Sequence, residues 1–302
     1  MIPSAGNVDD LSAVAGRGLL ICGHPKSGTS LLLSLLDGHP DVLAFPEETK
    51  YFRAIHERAD LHSAEALIEH TRVGRLVRRT AADNAVGGDL ARVDPVAFER
   101  ELASLLVPGR SPHEVLPAVM LAYAASRGSP PLAYWAEKTP LHELHLSKAI
   151  ALWPDLRAIY VLRDPRDVHV SFAVKRQTRG RRLSVLNTVR RIRSSLRAWD
   201  AFSSAHPGRA CLVRYEDLVR EPTTTTRALA RFLEIPWTED LLSPTLAGWA
   251  WGGNSMFQGS HATVSRTPVG RYRDRLSRWQ IEVLERGLAR EFARFGWPRH
   301  RD

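Results

Sequence analysis

A glycine-rich segment near the amino end, GHPKSGTSLL, has residue types and spacing that suit phosphate chemistry. Gly23 and Gly28 have the separation found in a phosphate-binding loop, and Ser30 supplies the hydroxyl that ends such a motif. In nucleotide hydrolases a lysine follows the second glycine, but here Thr29 takes that position and Lys26 lies inside the loop. The segment therefore predicts an anion-binding turn with a displaced ammonium group.

The flanking residues predict the elements that would position this turn. Residues 19–23 form a short apolar run that ends in glycine, which is typical of a buried parallel strand. Residues 29–36 place leucines at helical spacing, and the GHP sequence at 38–40 ends that pattern. Backbone N–H groups at such a strand-to-helix turn bind anions, and the helix N-terminus adds positive potential.

The strand ends predict chemistry without a metal ion. A magnesium-dependent nucleotide hydrolase needs an acidic residue directly after a strand. The run YVLRD instead reaches Arg163 before Asp164. A basic residue where a metal-holding carboxylate would lie argues against magnesium chemistry, and we expect no metal site.

The rest of the chain alternates predicted strands with predicted helices, which indicates an α/β fold. Strands are predicted at 42–45, 134–136, 156–162 and 210–218, and helices at 141–152, 187–204 and 223–235. Residues 52–132 differ, because they contain amphipathic helical segments broken by Gly and Pro. We expect a P-loop-type, three-layer fold in one domain over residues 1–302. Its central parallel sheet is flanked by helices, and the segment at 52–132 is a helical insertion over the active site.

Capping residues predict two helix boundaries. The helix at 223–235 is expected to begin at a threonine cap. The closing helix is expected to begin at a capping box formed by Ser277 and Gln280. Its buried stripe is predicted to consist of Leu284, Leu288, Phe292 and Phe295.

The composition indicates a globular protein with a sizeable core, since 44% of the 302 residues are apolar and 25% are charged. No stretch approaches the roughly 20 apolar residues of a membrane span. The amino end lacks the basic and apolar pattern of a secretory signal, and Cys22 and Cys211 lie in apolar runs that predict buried thiols. These features predict a cytoplasmic location.

The net charge of +9 comes almost entirely from arginine, which is dispersed along the chain. Dispersed arginine predicts a solvated surface rather than a nucleic-acid interface, although the charge favours an anionic substrate. Lysine occurs only at positions 26, 50, 138, 148 and 175. The location of each lysine is therefore more informative than usual.

Two motifs together resemble the sulfotransferases that use 3′-phosphoadenosine 5′-phosphosulfate (PAPS). PKSGTSLL is similar to the loop that binds the 5′-phosphosulfate, and VLRDPRDVHVSF is similar to the signature that binds the 3′-phosphate. LLDGHPDVLAFPEET and VRYEDL resemble the bacterial and tyrosylprotein branch of that family. Gly38, Pro46 and one extra residue before the glutamates depart from the branch, and residues 52–132 contain none of its motifs.

The resemblance implies which residues bind PAPS and its product, 3′,5′-bisphosphoadenosine (PAP). The 5′ end would be held by Pro25, Lys26, Ser27, Gly28, Thr29 and Ser30, the 3′-phosphate by Arg163 and Ser171, and the adenine by Tyr215. The segment SRTPVGRYRD would close over the donor through Ser265, Gly270 and Arg271, with Arg273 as the alternative to Arg271. Arg166 and Asp167 are expected to start and cap the helix that follows Arg163.

A relocated lysine suits sulfuryl transfer for a physical reason. A sulfuryl group carries one negative charge fewer than a phosphoryl group, and charge develops on the bridging oxygen as the bisphosphate leaves. Lys26 can neutralise that oxygen without a metal ion, and the resemblance implies that Lys138 assists it. The acceptor hydroxyl also needs a base. The resemblance implies Glu48 for this role, with Glu47 and His24 as open alternatives.

These observations predict a sulfotransferase that moves a sulfuryl group from PAPS to a hydroxyl group. The acceptor is unidentified and can be a small molecule, glycan, lipid or tyrosine; residues 52–132 and 251–265 are expected to line its pocket. One alternative is an atypical P-loop kinase or NTPase, and another is a non-catalytic binder of polyanions. We expect no nucleic-acid partner and no membrane span, and the sequence leaves the oligomeric state open.

Overall fold

A computed structural model of the chain describes residues 18–128, 133–178, 180, 183–253 and 264–300. Five parallel strands form the central sheet in the order β2-β3-β1-β4-β5. These strands are β1 (Gly18–Cys22), β2 (Val42–Ala44), β3 (Tyr134–Lys138), β4 (Arg157–Leu162) and β5 (Ala210–Arg214). A short antiparallel hairpin consists of β6 (Thr245–Leu246) and β7 (Trp249–Ala250).

Helices flank this sheet and fill the segment between β2 and β3. They are α1 (Thr29–Leu36), α2 (Tyr51–Ala54), α3 (Ala64–His70), α4 (Gly74–Val86), α5 (Pro95–Leu105), α6 (Pro112–Ser126), α7 (Leu146–Leu152), α8 (Pro165–Gln177), α9 (Val185–Ala205), α10 (Tyr215–Arg220), α11 (Pro222–Leu233), α12 (Arg278–Gly287) and α13 (Ala289–Phe295). Short 3₁₀ helices lie at Ala59–Leu61, His142–His145, Pro207–Arg209, Glu239–Leu242 and Arg271–Asp274. The predicted α/β fold with a central parallel sheet is confirmed.

Successive residues of β1 point to opposite faces of the sheet. Leu20 and Cys22 pack in a core with α9 and the helical insertion, whereas Leu19 and Ile21 pack in a second core with α1 and α11. Every residue of β1 is buried, because strands lie on both sides of it and helices cover both faces. A strand buried in this way carries a continuous apolar run, which is the pattern that predicted it.

The helical insertion shares a core with the sheet. Leu67, Phe98 and Val119, from three different insertion helices, belong to the same cluster of buried side chains as Leu20 and Trp135. The insertion contains helices α2 to α6, in agreement with the amphipathic pattern of residues 52–132. Its last residues, 129–132, lie outside the described part of the chain, and the assignment of residues 1–302 to one domain stays a prediction.

Two predicted elements have different boundaries. The strand predicted at 210–218 ends at Arg214, and α10 begins at Tyr215, because Glu216 and Asp217 in its first turn favour a helix N-terminus. The helix predicted at 141–152 is divided into a 3₁₀ turn and α7. Leu141, with a φ of 74°, lies before the 3₁₀ turn, and His145, with a φ of -124° and a ψ of 6°, interrupts the regular helix between that turn and α7.

The two capping predictions have opposite outcomes. The predicted threonine cap is wrong, because α11 begins at Pro222 and lacks a side-chain cap; proline suits the first turn because that turn has no acceptor for its N–H. The capping box of Ser277 and Gln280 is confirmed. The closing helix ends at Gly287 and a second one follows. In the predicted stripe, Leu284, Leu288 and Phe292 are buried and Phe295 is partly buried.

Both cysteines are free thiols, as predicted, although only Cys22 is fully buried and Cys211 is partly buried. Among the helices of the described residues, none combines the length and the apolar character needed to cross a membrane.

A buried arginine joins the turn after β4 to the closing helices. The Arg166 guanidinium donates to Asp164 at 2.6 Å and to Glu285 at 2.5 Å, and only 1% of the residue is exposed. It also lies 4.0 Å from the centre of the Tyr272 ring and 4.8 Å from that of Phe292. Asp164, rather than Asp167, caps α8 by accepting the Arg166 N–H. The predicted cap at Asp167 is therefore wrong, and Arg166 instead connects distant segments.

Substitution of Arg166 by methionine tests the energetic role of this arginine. Arg166→Met leaves two buried carboxylates without their cation, so we expect the free energy of unfolding to fall by about 3–5 kcal/mol. Urea unfolding followed by circular dichroism measures the loss. The matched control is Arg286→Met, which removes an ion pair with Glu282 whose arginine is 78% exposed, and about 0–1 kcal/mol is expected there. Equal losses in the two variants would contradict a structural role for the Arg166 pairs.

Candidate active site

The glycine-rich loop forms a tight turn between β1 and α1. Gly23 has a φ of 133° and Gly28 a φ of 108°, in the left-handed region that favours glycine. A Cβ on Gly23 would lie 2.5 Å from the Val161 carbonyl oxygen, and one on Gly28 would lie 2.4 Å from the Tyr215 ring. Lys26 has a φ of 76° although it carries a side chain. The loop conformation therefore requires both glycines and strains Lys26.

Two side-chain atoms of this loop are buried without a hydrogen-bond partner among the described residues, namely Ser27 Oγ and His24 Nε2. His24 Nδ1 lies 2.9 Å from the Pro25 carbonyl oxygen. Because a carbonyl oxygen only accepts, the His24 proton lies on Nδ1 and Nε2 keeps its lone pair. Burial lowers the pKa of His24 to about 4, so the ring is neutral at neutral pH. Thr29 is buried, and Ser30 is partly buried.

Three lysines converge at this loop. Burial, followed by the positive charges of Lys175 and Lys138, lowers the pKa of Lys26 to about 8. Lys138 is the last residue of β3, while Lys175 lies one helical turn after Ser171 in α8. The ammonium groups of these lysines therefore repel one another at the carboxyl edge of the sheet, and an anionic ligand would relieve the repulsion.

The adjacent glutamates have different partners. Glu48 accepts a hydrogen bond from Lys138 at 2.9 Å and lies 3.6 Å from Arg72. Although burial opposes the shift, Lys138 and Arg72 lower the pKa of Glu48. Glu47 is buried and pairs with Arg79 at 2.6 Å and with Arg75 at 3.7 Å. Glu48 is thus the glutamate beside the lysines.

A buried carboxylate joins the segment of Glu48 to the strand of Lys138. Glu137 Oε1 accepts the Thr49 N–H at 3.0 Å, the Thr49 hydroxyl at 2.9 Å and the Thr139 hydroxyl at 2.5 Å. Its other oxygen lies 3.1 Å from His142 Nδ1. Although burial opposes the shift, His142 lowers the pKa of Glu137. The charged Glu137 therefore fixes the relative positions of the proposed base and Lys138.

Arg163 lies directly beneath the loop. Its guanidinium donates to the carbonyl oxygens of Lys26, at 3.2 Å, and of Pro268, at 2.6 Å, and it stacks 4.4 Å from the centre of the Tyr215 ring. Arg163 Nε is buried without a partner among the described residues. Ser171 is buried in the second turn of α8. The structure therefore brings Arg163 and Tyr215 to the glycine loop.

The carboxyl-terminal loop is held against α8 by Asp167. This carboxylate accepts the N–H groups of Gly270 at 2.7 Å and of Tyr272 at 2.9 Å. Burial, followed by the nearby charge of Arg163, lowers the pKa of Arg271, whereas Arg273 is exposed and lies over the Tyr272 ring. Arg271 is therefore the arginine that faces Arg163.

Ser265 has only a local role in the described structure. Its hydroxyl accepts the Thr267 N–H at 3.2 Å, which closes a turn within the loop itself. Residues 254–263, which include most of the loop predicted to line the acceptor pocket, lie outside the described residues.

Sequence reasoning missed several residues of this site. Lys175 was signalled by the scarcity of lysine and by its position four residues after Ser171. Glu143 was not signalled, although it accepts the Gly23 N–H at 2.9 Å and the Ser195 hydroxyl at 2.5 Å. Glu137 and Asp167 were near recognised motifs, but their backbone partners are distant in sequence.

A cavity of about 300 Å³ lies next to Lys138. Ser30 and Lys138 line the cavity at the glycine loop, and Ser34 lines it further along α1. Arg75 and Arg79 contribute from the insertion, together with Trp251 from the segment after β7. Among the described residues, no group of three or more His, Cys, Asp or Glu side chains is placed to hold a metal ion.

The chain is similar in sequence to two protein-tyrosine sulfotransferases. It is 28% identical over 232 residues to protein-tyrosine sulfotransferase 1 of Danio rerio, in an alignment that covers 74% of this chain and 55% of that protein. It is 24% identical over 233 residues to the protein-tyrosine sulfotransferase of Drosophila melanogaster, in an alignment that covers 74% of this chain and 39% of that protein. The matched region thus spans about half the length of these curated relatives, or less.

A solved structure and a family model extend the comparison. The sulfotransferase domain of the Synechococcus PCC 7002 olefin synthase superposes with a TM-score of 0.63 at 19% identity, covering 99% of this chain and 98% of that chain. At that identity the likeness concerns the fold. The model of the sulfotransferase family matches residues 18–239, which include the glycine loop, both glutamates and Arg163. The chain belongs to the sulfotransferase family.

Proposed function

We propose that this protein transfers a sulfuryl group from PAPS to a hydroxyl group of an acceptor. The observation that carries the proposal is the meeting of two cationic groups at one glycine loop. Lys26, Lys138 and Lys175 form one group, and Arg163 with Arg271 forms the other. A nucleotide with a 5′-phosphosulfate and a 3′-phosphate has two separate anionic ends that match these groups.

The residues of the loop fit such a donor. The nest of backbone N–H groups suits the 5′ end, as does the Ser27 hydroxyl, which is buried without a partner among the described residues. Arg163 has a planar guanidinium that suits a terminal phosphate, and its Nε has no partner within the part of the chain that the structure describes. The proposed donor-binding residues are Pro25, Lys26, Ser27, Gly28, Thr29, Ser30, Arg163, Ser171, Tyr215, Ser265, Gly270 and Arg271.

In the proposed reaction the acceptor oxygen forms a bond to sulfur while the bond from sulfur to the bridging oxygen breaks. PAP leaves with the electron pair of that bond. Lys26 and Lys138 neutralise the charge on the leaving oxygen, and Glu48 takes the proton of the acceptor hydroxyl. When Lys138 turns towards the anionic donor, Glu48 loses its lysine and its pKa rises. Donor binding would thus prepare the base.

The remaining parts of the assignment are also proposals. We propose that the protein acts in the cytoplasm, without a metal ion and without a nucleic-acid partner. The acceptor is proposed to be a hydroxyl-bearing small molecule, glycan, lipid or tyrosine.

Calorimetry with PAP tests the donor assignment. We expect PAP to bind, with an affinity that EDTA leaves unchanged, because lysine and arginine supply the positive charge. The Arg163→Gln variant should bind PAP about 10–100-fold more weakly, since a charge-assisted hydrogen bond to phosphate is lost. Arg286→Gln, at an exposed ion pair, is the matched control. Magnesium-dependent ATP binding without PAP binding would favour a kinase or NTPase, and salt-sensitive heparin binding alone would favour a polyanion binder.

The pKa of Lys26 predicts the pH dependence of transfer. Lys26 acts as a cation, so it is active below its pKa of about 8 and loses its charge above it. We expect kcat/KM, which reports the free enzyme, to fall as the pH rises through about 8. In Lys26→Arg the residual activity should keep its value to higher pH, because the guanidinium stays charged. If kcat/KM of the Lys26→Arg variant still fell near pH 8, the titration would belong to another group.

Substitution of Glu48 tests the proposed base. Glu48→Gln keeps the size of the side chain but cannot take a proton, so we expect kcat to fall by about 10²–10⁴-fold. PAP should bind at least as tightly as it does to the unmodified protein, as measured by calorimetry, because the neutral side chain competes less for Lys138. Glu57→Gln, which removes an exposed glutamate that also pairs with a lysine, is the control. Unchanged kcat in Glu48→Gln would shift the role to His24 or Glu47.

A further inference from the structure

A group of arginines to which the proposed function gives no role lies next to the glycine loop. It consists of Arg53 in α2, Arg176 in α8 and Arg191 in α9, and we call it the arginine cluster. Burial, followed by the positive charges of Arg53 and Arg176, lowers the pKa of Arg191. Arg191 is thus repelled by both of the other guanidinium groups.

The ring of Phe172 joins this cluster to the glycine loop. The Arg191 guanidinium lies 5.4 Å from the centre of the ring. The His24 ring, in the loop itself, meets the same ring edge-on, with 5.6 Å between the two centres. Arg176 follows Phe172 by four residues in α8, and side chains with that spacing are neighbours on one face of a helix. Both arginines therefore flank Phe172 beside the loop.

The arginine cluster is also close to the proposed base. Lys175, directly before Arg176, has a charge that acts on both Lys26 and Glu48. Arg53 follows Glu48 by five residues. Because interactions between solvent-exposed charges are largely screened beyond about 10 Å, these groups lie near one another. An acceptor whose hydroxyl group contacts Glu48 would therefore reach the cluster with another part of the same molecule.

The positive charge of the cluster is poorly offset within the protein. The Nε atoms of Arg176 and Arg191 are buried without a hydrogen-bond partner among the described residues, which distinguishes them from solvated surface arginines. Glu143 acts on Arg191, but its two oxygens already accept the Gly23 N–H and the Ser195 hydroxyl. Burial also raises the pKa of Glu143. Arg176 and Arg191 are only partly buried, so a ligand can reach their terminal nitrogens.

The surrounding sequence adds further positive charge. Residues 168–199, which begin in α8 and end in α9, contain nine Lys and Arg residues and neither Asp nor Glu. The acids at the two ends of this stretch are already engaged, since Asp167 accepts the Gly270 N–H and Asp200 pairs with Arg294. A site lined by one sign of charge attracts ligands of the opposite sign.

The proposed donor does not supply the missing anion. Its 5′-phosphosulfate would lie at the three lysines of the glycine loop, and its 3′-phosphate would lie at Arg163 and Arg271. An anion that offsets the arginine cluster would therefore belong to the second substrate. This step depends on the proposed sulfuryl transfer from PAPS.

We propose that the acceptor carries a carboxylate or phosphate group in addition to the hydroxyl group that receives the sulfuryl, and that Arg176 and Arg191 bind this anionic group. A planar guanidinium binds either oxyanion through two parallel hydrogen bonds. Arg53, which is exposed, adds positive charge at the entrance. The acceptor hydroxyl lies at Glu48 and gives up its proton there. A neutral acceptor would leave the cluster uncompensated and would bind more weakly.

Matched pairs of acceptors test this selection. Radiolabelled PAPS is supplied with N-acetyltyrosine or its amide, with 6-hydroxy-2-naphthoate or 2-naphthol, and with glucose 6-phosphate or glucose. The first two pairs test a carboxylate, and the third tests a phosphate. We expect the anionic member of at least one pair to have a kcat/KM about tenfold or more above that of its neutral partner, because it gains a charge-assisted hydrogen bond. Equal or preferred transfer to the neutral member of every pair would overturn the proposal, as would no transfer to any of the six compounds by protein that binds PAP.

Variants of the cluster test the role of the two arginines. Arg176→Gln and Arg191→Gln should each raise KM for the preferred anionic acceptor about 10–100-fold, with little change in KM for its neutral partner or in PAP affinity. Arg191→Lys keeps the charge and should recover part of the loss. The matched control is Arg197→Gln, at an exposed position of the same helix, where the change should stay below about fivefold. Circular dichroism verifies that each variant is folded.

The outcomes separate this inference from the proposed function. An equal rise in KM for the anionic and the neutral acceptor would mean that the arginines act through packing, and it would overturn the proposal. Weaker PAP binding in Arg191→Gln would assign the cluster to the donor, with the same consequence, and so would an unchanged KM in both glutamine variants. Sulfuryl transfer itself would stand in each of these cases. Failure of the unmodified protein to bind PAP would instead remove the proposed function.

Discussion

Buried carboxylates that accept backbone N–H groups hold the loops at the carboxyl edge of the sheet, and the site depends on this interaction. Each of four loops is fixed by a different acidic side chain that lies elsewhere in the fold. The pairs are Glu143 with Gly23, Glu137 with Thr49, Glu216 with Asp164, and Asp167 with Gly270 and Tyr272. Hydrogen bonds of this kind are charge-assisted and offset part of the cost of burial, although burial still raises the pKa of Glu143, Glu216 and Asp167.

The same arrangement explains why the site attracts anions. The buried carboxylates use their oxygens on backbone N–H and hydroxyl groups, so they offer little compensation to the neighbouring lysines. Burial and mutual repulsion then lower the pKa of Lys26 to about 8. Glu48 differs, because it pairs directly with Lys138. A donor with anionic groups at its 5′ and 3′ ends would relieve the repulsion and compete with Glu48 for Lys138, which would couple donor binding to the proposed base.

Backbone strain is concentrated at these same loops. Lys26, Lys50 and Leu141 all have a positive φ although they carry side chains. Leu141 donates its N–H to the Gly23 carbonyl oxygen at 3.1 Å, and Lys50 donates its N–H to the Thr139 hydroxyl at 3.1 Å. Such conformations cost about 1–3 kcal/mol each and persist where the surroundings over-determine them. The hydrogen bonds to neighbouring loops supply that constraint here.

The sequence by itself determined the parts of this protein that depend on near neighbours in the chain. The apolar run before Gly23 indicates a strand, the leucines after Gly28 indicate a helix, and Arg163 marks the end of β4. Each of these patterns indicates an element within a few residues. The motifs around them were therefore sufficient to predict the fold class and the sulfotransferase family. The cap of α8 was predicted wrongly at Asp167, because short-range pattern does not show that this carboxylate binds a loop about one hundred residues away.

Only the tertiary structure decided what meets at the loop. The strand order brings Lys138 beside β1, and the packing of α8 brings Lys175 to Lys26 although 149 positions separate them in the sequence. The cavity beside Lys138 is likewise formed by α1, the insertion and the segment after β7, which are distant along the chain. Periodicity and motif spacing report local geometry, whereas these contacts depend on how whole elements pack around a common core.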